Sequence, residues 1–124
     1  MTREATPNVD LALFGALGDL ALRKLYPALY HLDRDGLLGA DTRILGLARR
    51  EHDADSFRST VLGMLKKRVK AKELEQTCLD RFLARLDYTQ LDFDTVDGYE
   101  KIRDWHAESP DSQCPLTIYL AVPA

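Results

Sequence analysis

The sequence has no long apolar run and few cysteines, and both absences exclude classes of protein. No apolar stretch approaches the roughly 18 residues that a membrane-spanning helix needs, and the polar N-terminus lacks the apolar centre of a secretory leader. The two cysteines, Cys78 and Cys114, lack Cys-x-x-Cys spacing. That spacing is typical of metal and redox sites, so we expect no metal site and two reduced thiols. The sequence predicts a soluble, untargeted, cytoplasmic chain.

The sequence also lacks an excess of basic residues. It has 17 Lys and Arg against 20 Asp and Glu, a formal net charge of −3. Its only basic cluster, "KKRVKAK" at 66–72, lies in a helical pattern and is interpreted as a solvated helix face. Nucleic acid is therefore not an expected partner.

Apolar runs alternate with helical patterns along the 124 residues. A tail at 1–8 is expected to be disordered, and 9–124 to form one domain. The predicted strands are 9–15, 43–49, 87–93 and 116–124. The predicted helices are 19–32, 53–70, 72–86 and 95–107, the second with Asp53 as its N-cap. This order predicts an α/β fold of the Rossmann-like, doubly wound class, whose mainly parallel sheet has about four buried strands. Right-handed crossovers place the first strand centrally and the second beside it.

The first predicted helix has one apolar face and one irregular position. Leu20, Leu25, Leu29 and Leu32 recur at helical spacing and are expected to share a face. Pro27 removes a backbone donor inside this helix, so we expect a bend near Lys24. In the last predicted helix, Val96, Tyr99, Ile102 and His106 recur in the same way.

The stretch "FGALGDLA" connects the first strand to the first helix. Gly15 and Gly18 would let backbone amides approach a pyrophosphate, and Ala21 is small enough for close packing of helix on strand. Gly18 is followed by Asp19 and not by the Lys-Ser/Thr of a P-loop. On its own the turn is equally consistent with a phosphate site or with a tight packing turn.

The second strand ends in "GLARR". Dinucleotide-binding domains place a carboxylate here for the ribose of NAD, whereas Arg suits the 2′-phosphate of NADP. Arg49 and Arg50 therefore favour NADP, and the alternative is two surface arginines.

The residues "GALGDLALRKLYPALYHL" resemble the coenzyme-binding motif of the glucose-6-phosphate dehydrogenase family, Gly-Ala-Ser-Gly-Asp-Leu-Ala-x-x-Lys-x-x-Pro. The segments "RDGLL", "RILGLAR", "RLDYTQLDF" and "LTIYLAVPA" resemble later parts of the same domain, in the same order. The resemblance spans 11–124.

The resemblance implies a role for several residues. A pyrophosphate turn would comprise Gly15, Ala16, Leu17, Gly18, Asp19 and Leu20. The 2′-phosphate would be held by Arg49, with Arg50 assisting. Asp92 and Phe93 would lie near the adenosine, and Ala121 to Pro123 near the nicotinamide half. Lys24 would reach the substrate region, although a lone helix lysine is more often a solvated one.

The chain departs from the family pattern in two ways. Leu17 replaces the usual serine and so removes a hydroxyl donor to the phosphate. The Glu-Lys-Pro and Asp-His-Tyr-Leu-Gly-Lys segments, the second with the catalytic histidine, are absent. None of the three histidines stands in a comparable motif: His31 is interpreted as packed or solvated, and His52 and His106 as surface residues.

The resemblance thus implies the NADP-binding part of an oxidoreductase of the pentose phosphate pathway. The whole enzyme would be a homo-oligomer that converts glucose 6-phosphate and NADP to the lactone and NADPH, a reaction that needs a base. We expect the 124 residues alone to be inactive. Two alternatives stay open: a non-catalytic nucleotide-binding module, and a partial sheet whose unpaired edge promotes association.

Overall fold

Four parallel strands form a single sheet in this computed structural model, which describes residues 7–91 and 97–121. The strands are β1 (Asp10–Phe14), β2 (Arg43–Ala48), β3 (Leu86–Gln90) and β4 (Leu116–Leu120), in the order β3-β2-β1-β4. The predicted parallel sheet is confirmed, with the first strand central and the second beside it.

Helices follow the first three strands. They are α1 (Tyr26–Arg34), α2 (Ala54–Arg68), α3 (Gln76–Ala84) and α4 (Asp97–Ala107), with a π-helical turn at Ala21–Leu25 and a short 3₁₀ turn at Ala71–Glu73. The predicted cap of α2 is confirmed, since the side chain of Asp53 accepts a 2.7 Å hydrogen bond from the amide of Ser56. Within the described ranges, the helices are too short or too polar to cross a membrane.

The sheet is covered on both faces, because the central strands are apolar at consecutive positions. On β1, Leu13 packs in the larger core cluster, which contains the buried side chains of α1, α2 and α3. Its neighbours Ala12 and Phe14 pack in a smaller cluster with Ile102 and Trp105 of α4. Successive strand residues point to opposite faces, so α4 lies on the face opposite the other three helices.

The buried face of α1 differs from the predicted one. Of the four predicted residues, Leu25 and Leu29 are partly buried and pack against the core, whereas Leu20 and Leu32 are 41% and 40% exposed. The fully buried positions are instead Ala21, Tyr26 and Tyr30. The amide of Tyr26 donates to the carbonyl of Ala21, five residues back, so this π turn contains one residue more than an α turn. That extra residue rotates the following helix by about 100° relative to the expected phase. The irregularity expected near Lys24 is therefore a π turn.

The fourth strand, predicted to be buried, is largely exposed. β4 pairs only with β1 among the described strands, and on it Ile118 is 48% and Leu120 65% exposed. The prediction of a buried fourth strand is therefore wrong, because an apolar run does not show whether a second neighbour covers it. On α4, Ile102 is buried and Tyr99 is 65% exposed.

A polar network closes the amino-terminal edge of the sheet. The buried carboxylate of Asp10 accepts two hydrogen bonds from Arg43, at 3.1 and 2.7 Å, and lies 2.7 Å from Nδ1 of His106. His106 is thus bound to the start of β1 and is not the surface residue predicted. Asn8, assigned to a disordered tail, donates to Asp111 and accepts from the amide of Asp41.

Gly46 of β2 lies in close contact with Phe57 of α2. A Cβ built there would lie 2.7 Å from Cζ of Phe57 and 2.9 Å from Cβ of Ala16. Phe57 and Ala16 are fully buried core residues. The absence of a side chain at Gly46 therefore lets the helical layer pack against the sheet.

We expect Gly46→Ala to lower the free energy of unfolding by about 1–3 kcal/mol, because a buried methyl group would overpack this contact. The measurement is urea unfolding followed by circular dichroism. Gly63→Ala on α2 is the matched control: a Cβ there meets nothing within 4 Å. It should raise stability by up to about 1 kcal/mol through helix propensity. Equal effects of the two changes would contradict this account of the packing.

Candidate functional site

The turn after β1 folds back against the carboxyl end of β2. Gly15 has φ of 78°, a conformation that glycine adopts without steric cost. The amides of Gly15 and Ala16 both donate to the carbonyl of Leu47, at 3.0 and 3.2 Å. The amide of Gly18 donates to the carbonyl of Gly15 at 2.9 Å. The sequence-predicted turn is therefore a compact loop at the edge where parallel α/β sheets bind ligands.

The same turn contacts the end of β4. The amide of Ala121 donates to the carbonyl of Phe14 at 2.9 Å. A Cβ at Gly18 would lie 3.2 Å from the carbonyl oxygen of Gly15 and 3.7 Å from that of Ala121. Ala121 is buried. The segments predicted to lie at the pyrophosphate and near the nicotinamide half are thus adjacent, at the turn and at Ala121.

The first helical turn after Gly18 presents backbone donors. The amide of Leu22 donates to the carbonyl of Gly18, which makes Gly18 the residue that caps this helix. The next three amides, of Asp19, Leu20 and Ala21, then have no intrahelical acceptor, and the helix dipole adds positive potential there. A loop with glycine at two positions and unpaired amides beyond it fits a pyrophosphate. Leu17 offers no hydroxyl to a phosphate. Its side chain is partly buried and packs against the core.

Tyr26, which was not predicted from the sequence, fixes this turn from the core side. Its hydroxyl donates a 2.7 Å hydrogen bond to the carbonyl of Ala16, and its ring packs edge-on against Phe57. Burial raises the pKa of Tyr26, so the hydroxyl stays protonated and keeps donating. A regular α-helix would turn Tyr26 away from the core. Its burial depends on the extra residue of the π turn, which the sequence pattern does not reveal.

A cationic cleft adjoins the turn. It has a volume of about 490 Å³ and is lined by Asp19, Leu20, Arg23, Lys24 and Arg68. Arg23 is paired with Asp19 at 3.3 Å, whereas Lys24 is exposed on the same helical segment. The structure therefore places Lys24 beside the glycine turn, with three basic side chains and one acidic side chain around the cleft.

Arg49 and Arg50 are exposed and follow β2 directly. Their backbone is held by side chains of β3 that sequence reasoning also missed. Nε2 of Gln90 donates to the carbonyl of Arg49 at 2.9 Å, and the hydroxyl of Tyr88 contacts the carbonyl of Arg50. Tyr88 and Gln90 are two residues apart and so share a face of β3. That spacing was the only sequence signal available.

The remaining candidate residues are elsewhere or undescribed. Asp92, Phe93 and Pro123 lie outside the described residues. Nδ1 of His31 lies 3.4 Å from a carboxylate oxygen of Glu73, away from the turn. Nδ1 of His52 lies 2.9 Å from Oγ of Ser56. Within 7–91 and 97–121, no cluster of three or more His, Cys, Asp or Glu side chains could hold a metal ion, and both cysteines are free and buried.

Comparison with known protein families gives a match over most of the chain. The family model described as the NAD-binding domain of glucose-6-phosphate dehydrogenase matches residues 12–124. Glucose-6-phosphate 1-dehydrogenase of Mycolicibacterium smegmatis is 42% identical over 106 residues, which cover 84% of this chain and 21% of that protein. The Rhizobium meliloti enzyme of the same name is 34% identical over 113 residues, 91% of this chain and 23% of its own length.

Solved structures agree with this match. A glucose-6-phosphate dehydrogenase solved in complex with its substrate glucose 6-phosphate superposes with a TM-score of 0.79 at 32% identity, over 99% of this chain and 26% of that one. The chain thus spans about a fifth to a quarter of the length of the relatives that it matches. On the family model, the sequence identities and the shared fold, the chain belongs to the glucose-6-phosphate dehydrogenase family, in the region of its NAD-binding domain.

Proposed function

We propose that this chain forms the adenosine and pyrophosphate part of an NADP site. The observation that carries the proposal is the pair of exposed arginines, Arg49 and Arg50, at the carboxyl end of the strand next to the glycine turn. Two guanidinium groups suit the dianionic 2′-phosphate, which NAD lacks. Family membership supports a nicotinamide dinucleotide in general, and the arginines make NADP the preferred form.

The turn would bind the pyrophosphate through its backbone. The amides of Asp19, Leu20 and Ala21 offer donors without adding a bulky side chain. The exposed carboxylate of Asp19 is paired with Arg23, which reduces its repulsion of a phosphate. Ala121, buried against the same turn, would flank the nicotinamide half. Asp92, Phe93 and Pro123 stay part of this proposal on the family resemblance alone.

The reaction of the whole enzyme would be the oxidation of glucose 6-phosphate to its lactone. The bound nicotinamide would accept the hydride, and a general base would take the hydroxyl proton. Lys24, in the cationic cleft beside the turn, would reach toward the anionic sugar phosphate. We assign the base to no residue of this chain, so the 124 residues should bind cofactor without turning over glucose 6-phosphate. NADPH formation by the purified chain would refute that part of the proposal.

We expect a cytoplasmic enzyme and, for the whole protein, a homo-oligomer. The exposed apolar side chains of β4, Ile118, Tyr119 and Leu120, give the isolated chain a surface prone to association. Measurements on the isolated chain should therefore include its association state.

Arg49→Ala should weaken NADP binding by about tenfold to a hundredfold and leave NAD binding within about twofold, because only NADP carries the 2′-phosphate. A charge-assisted hydrogen-bonded contact of this kind is worth about 1.5–3 kcal/mol. Calorimetric titration of both cofactors gives the ratio directly. Equal losses for the two cofactors would overturn the assignment of Arg49.

Gly15→Ala should weaken NADP and NAD binding by similar factors, because it strains the turn that both pyrophosphates would use. A non-glycine residue in the left-handed region costs about 1–2 kcal/mol. Gly36→Ala is the matched control, since Gly36 has φ of 74° but lies at the end of α1, away from the turn. Both variants should lose similar stability in thermal unfolding, and only Gly15→Ala should lose binding. Equal binding losses would argue against a pyrophosphate turn.

A further inference from the structure

Two side chains of β3 hold three successive carbonyls at the end of β2. The hydroxyl of Tyr88 lies 3.3 Å from the carbonyl oxygen of Ala48 and also contacts that of Arg50. Nε2 of Gln90 donates to the carbonyl of Arg49 at 2.9 Å. We call Tyr88 and Gln90 the carbonyl clamp. It acts at the end of β2, where the carbonyl of Ala48 still accepts from the amide of Leu91 but those of Arg49 and Arg50 lie beyond the paired residues.

Tyr88 is itself held rigidly. Its ring packs against Phe57, with ring centroids 5.1 Å apart, and edge-on against His52 at 5.7 Å. His52 is tied to α2 through Ser56. The phenol hydroxyl contacts the main chain of Arg50. Burial raises the pKa of Tyr88, and the charge of Arg50 partly offsets this effect. The clamp is therefore anchored in the core on one side and adjoins the arginine pair on the other.

We infer that Tyr88 and Gln90 are positioning residues for 2′-phosphate selectivity, an inference that rests on the proposed NADP site. Arg49 and Arg50 have long, flexible side chains, and directing both guanidiniums at one phosphate requires their backbone atoms to be fixed. With the backbone preorganised, less conformational entropy is lost on binding. The hydrogen bonds of the clamp go to main-chain carbonyls, so we expect its effect on the cofactor to pass through the arginines.

The test compares NADP and NAD binding by calorimetry for Tyr88→Phe, which keeps the ring and removes the hydroxyl. We expect NADP affinity to fall about threefold to tenfold, the worth of one hydrogen bond, with NAD affinity within twofold of the unmodified chain. Gln90→Leu should act in the same direction. Tyr99→Phe on the exposed surface of α4 is the matched control and should change neither affinity.

A double-mutant cycle between Tyr88 and an arginine distinguishes a positioning role from a general structural role. In the Arg50→Ala background, Tyr88→Phe should have no further effect on the NADP-to-NAD ratio, because the Arg50 side chain, through which Tyr88 would act, is gone. Full additivity of the two changes would overturn the inference, as would equal losses for NADP and NAD in Tyr88→Phe. Urea unfolding of each variant measures any loss of stability separately.

The inference and the proposed function fail in different ways. If the unmodified chain binds NADP no better than NAD, the NADP proposal fails and the positioning role fails with it. If the unmodified chain prefers NADP and Tyr88→Phe keeps the full preference, only the clamp is refuted.

Discussion

The arrangement of the sheet depends on the pairing of the buried carboxylate of Asp10 with Arg43 and His106. A charge removed from water must be paired, and here Arg43 from β2 and His106 from α4 surround it. Arg43 also donates to the carbonyl of Trp105 at 2.8 Å, and its guanidinium lies 4.2 Å from the centre of the Trp105 ring. One carboxylate thus joins the central strand, its neighbour and the helix on the opposite face. Replacing it would leave a guanidinium without its partner inside the protein.

The two edges of the sheet have different electrostatic character as a result. At the amino edge, the charged groups around Asp10 are paired within the protein and are buried or half-buried. At the carboxyl edge, Arg49, Arg50 and Lys24 are exposed. This separation is typical of α/β domains, in which binding loops are supported by strands that are fixed elsewhere.

The sequence predicted the parts of the fold that depend on local pattern. Alternating apolar runs and helices are enough to predict a parallel sheet with β1 in the middle, and Gly15 and Gly18 are enough to predict the turn. Contacts between distant residues were not predictable in this way. His106 and Asp10 are 96 residues apart, and Tyr88 contacts the main chain of Arg50, 38 residues earlier, from the neighbouring strand. The prediction that β4 is buried was wrong for a similar reason, because the hydrophobicity of a strand does not show how many neighbours it has.

The π turn at Ala21–Leu25 gives the chain a constraint on length as well as on composition. Its fold depends on the number of residues between Gly18 and Tyr26 more than on which residues they are. Deleting one would let the segment close into a regular α-helix and would turn Tyr26 and Tyr30 away from the core by about a quarter-turn. Substitution at its exposed positions, Arg23 and Lys24, should therefore disturb folding far less than insertion or deletion, which makes its length a marker for aligning distant relatives.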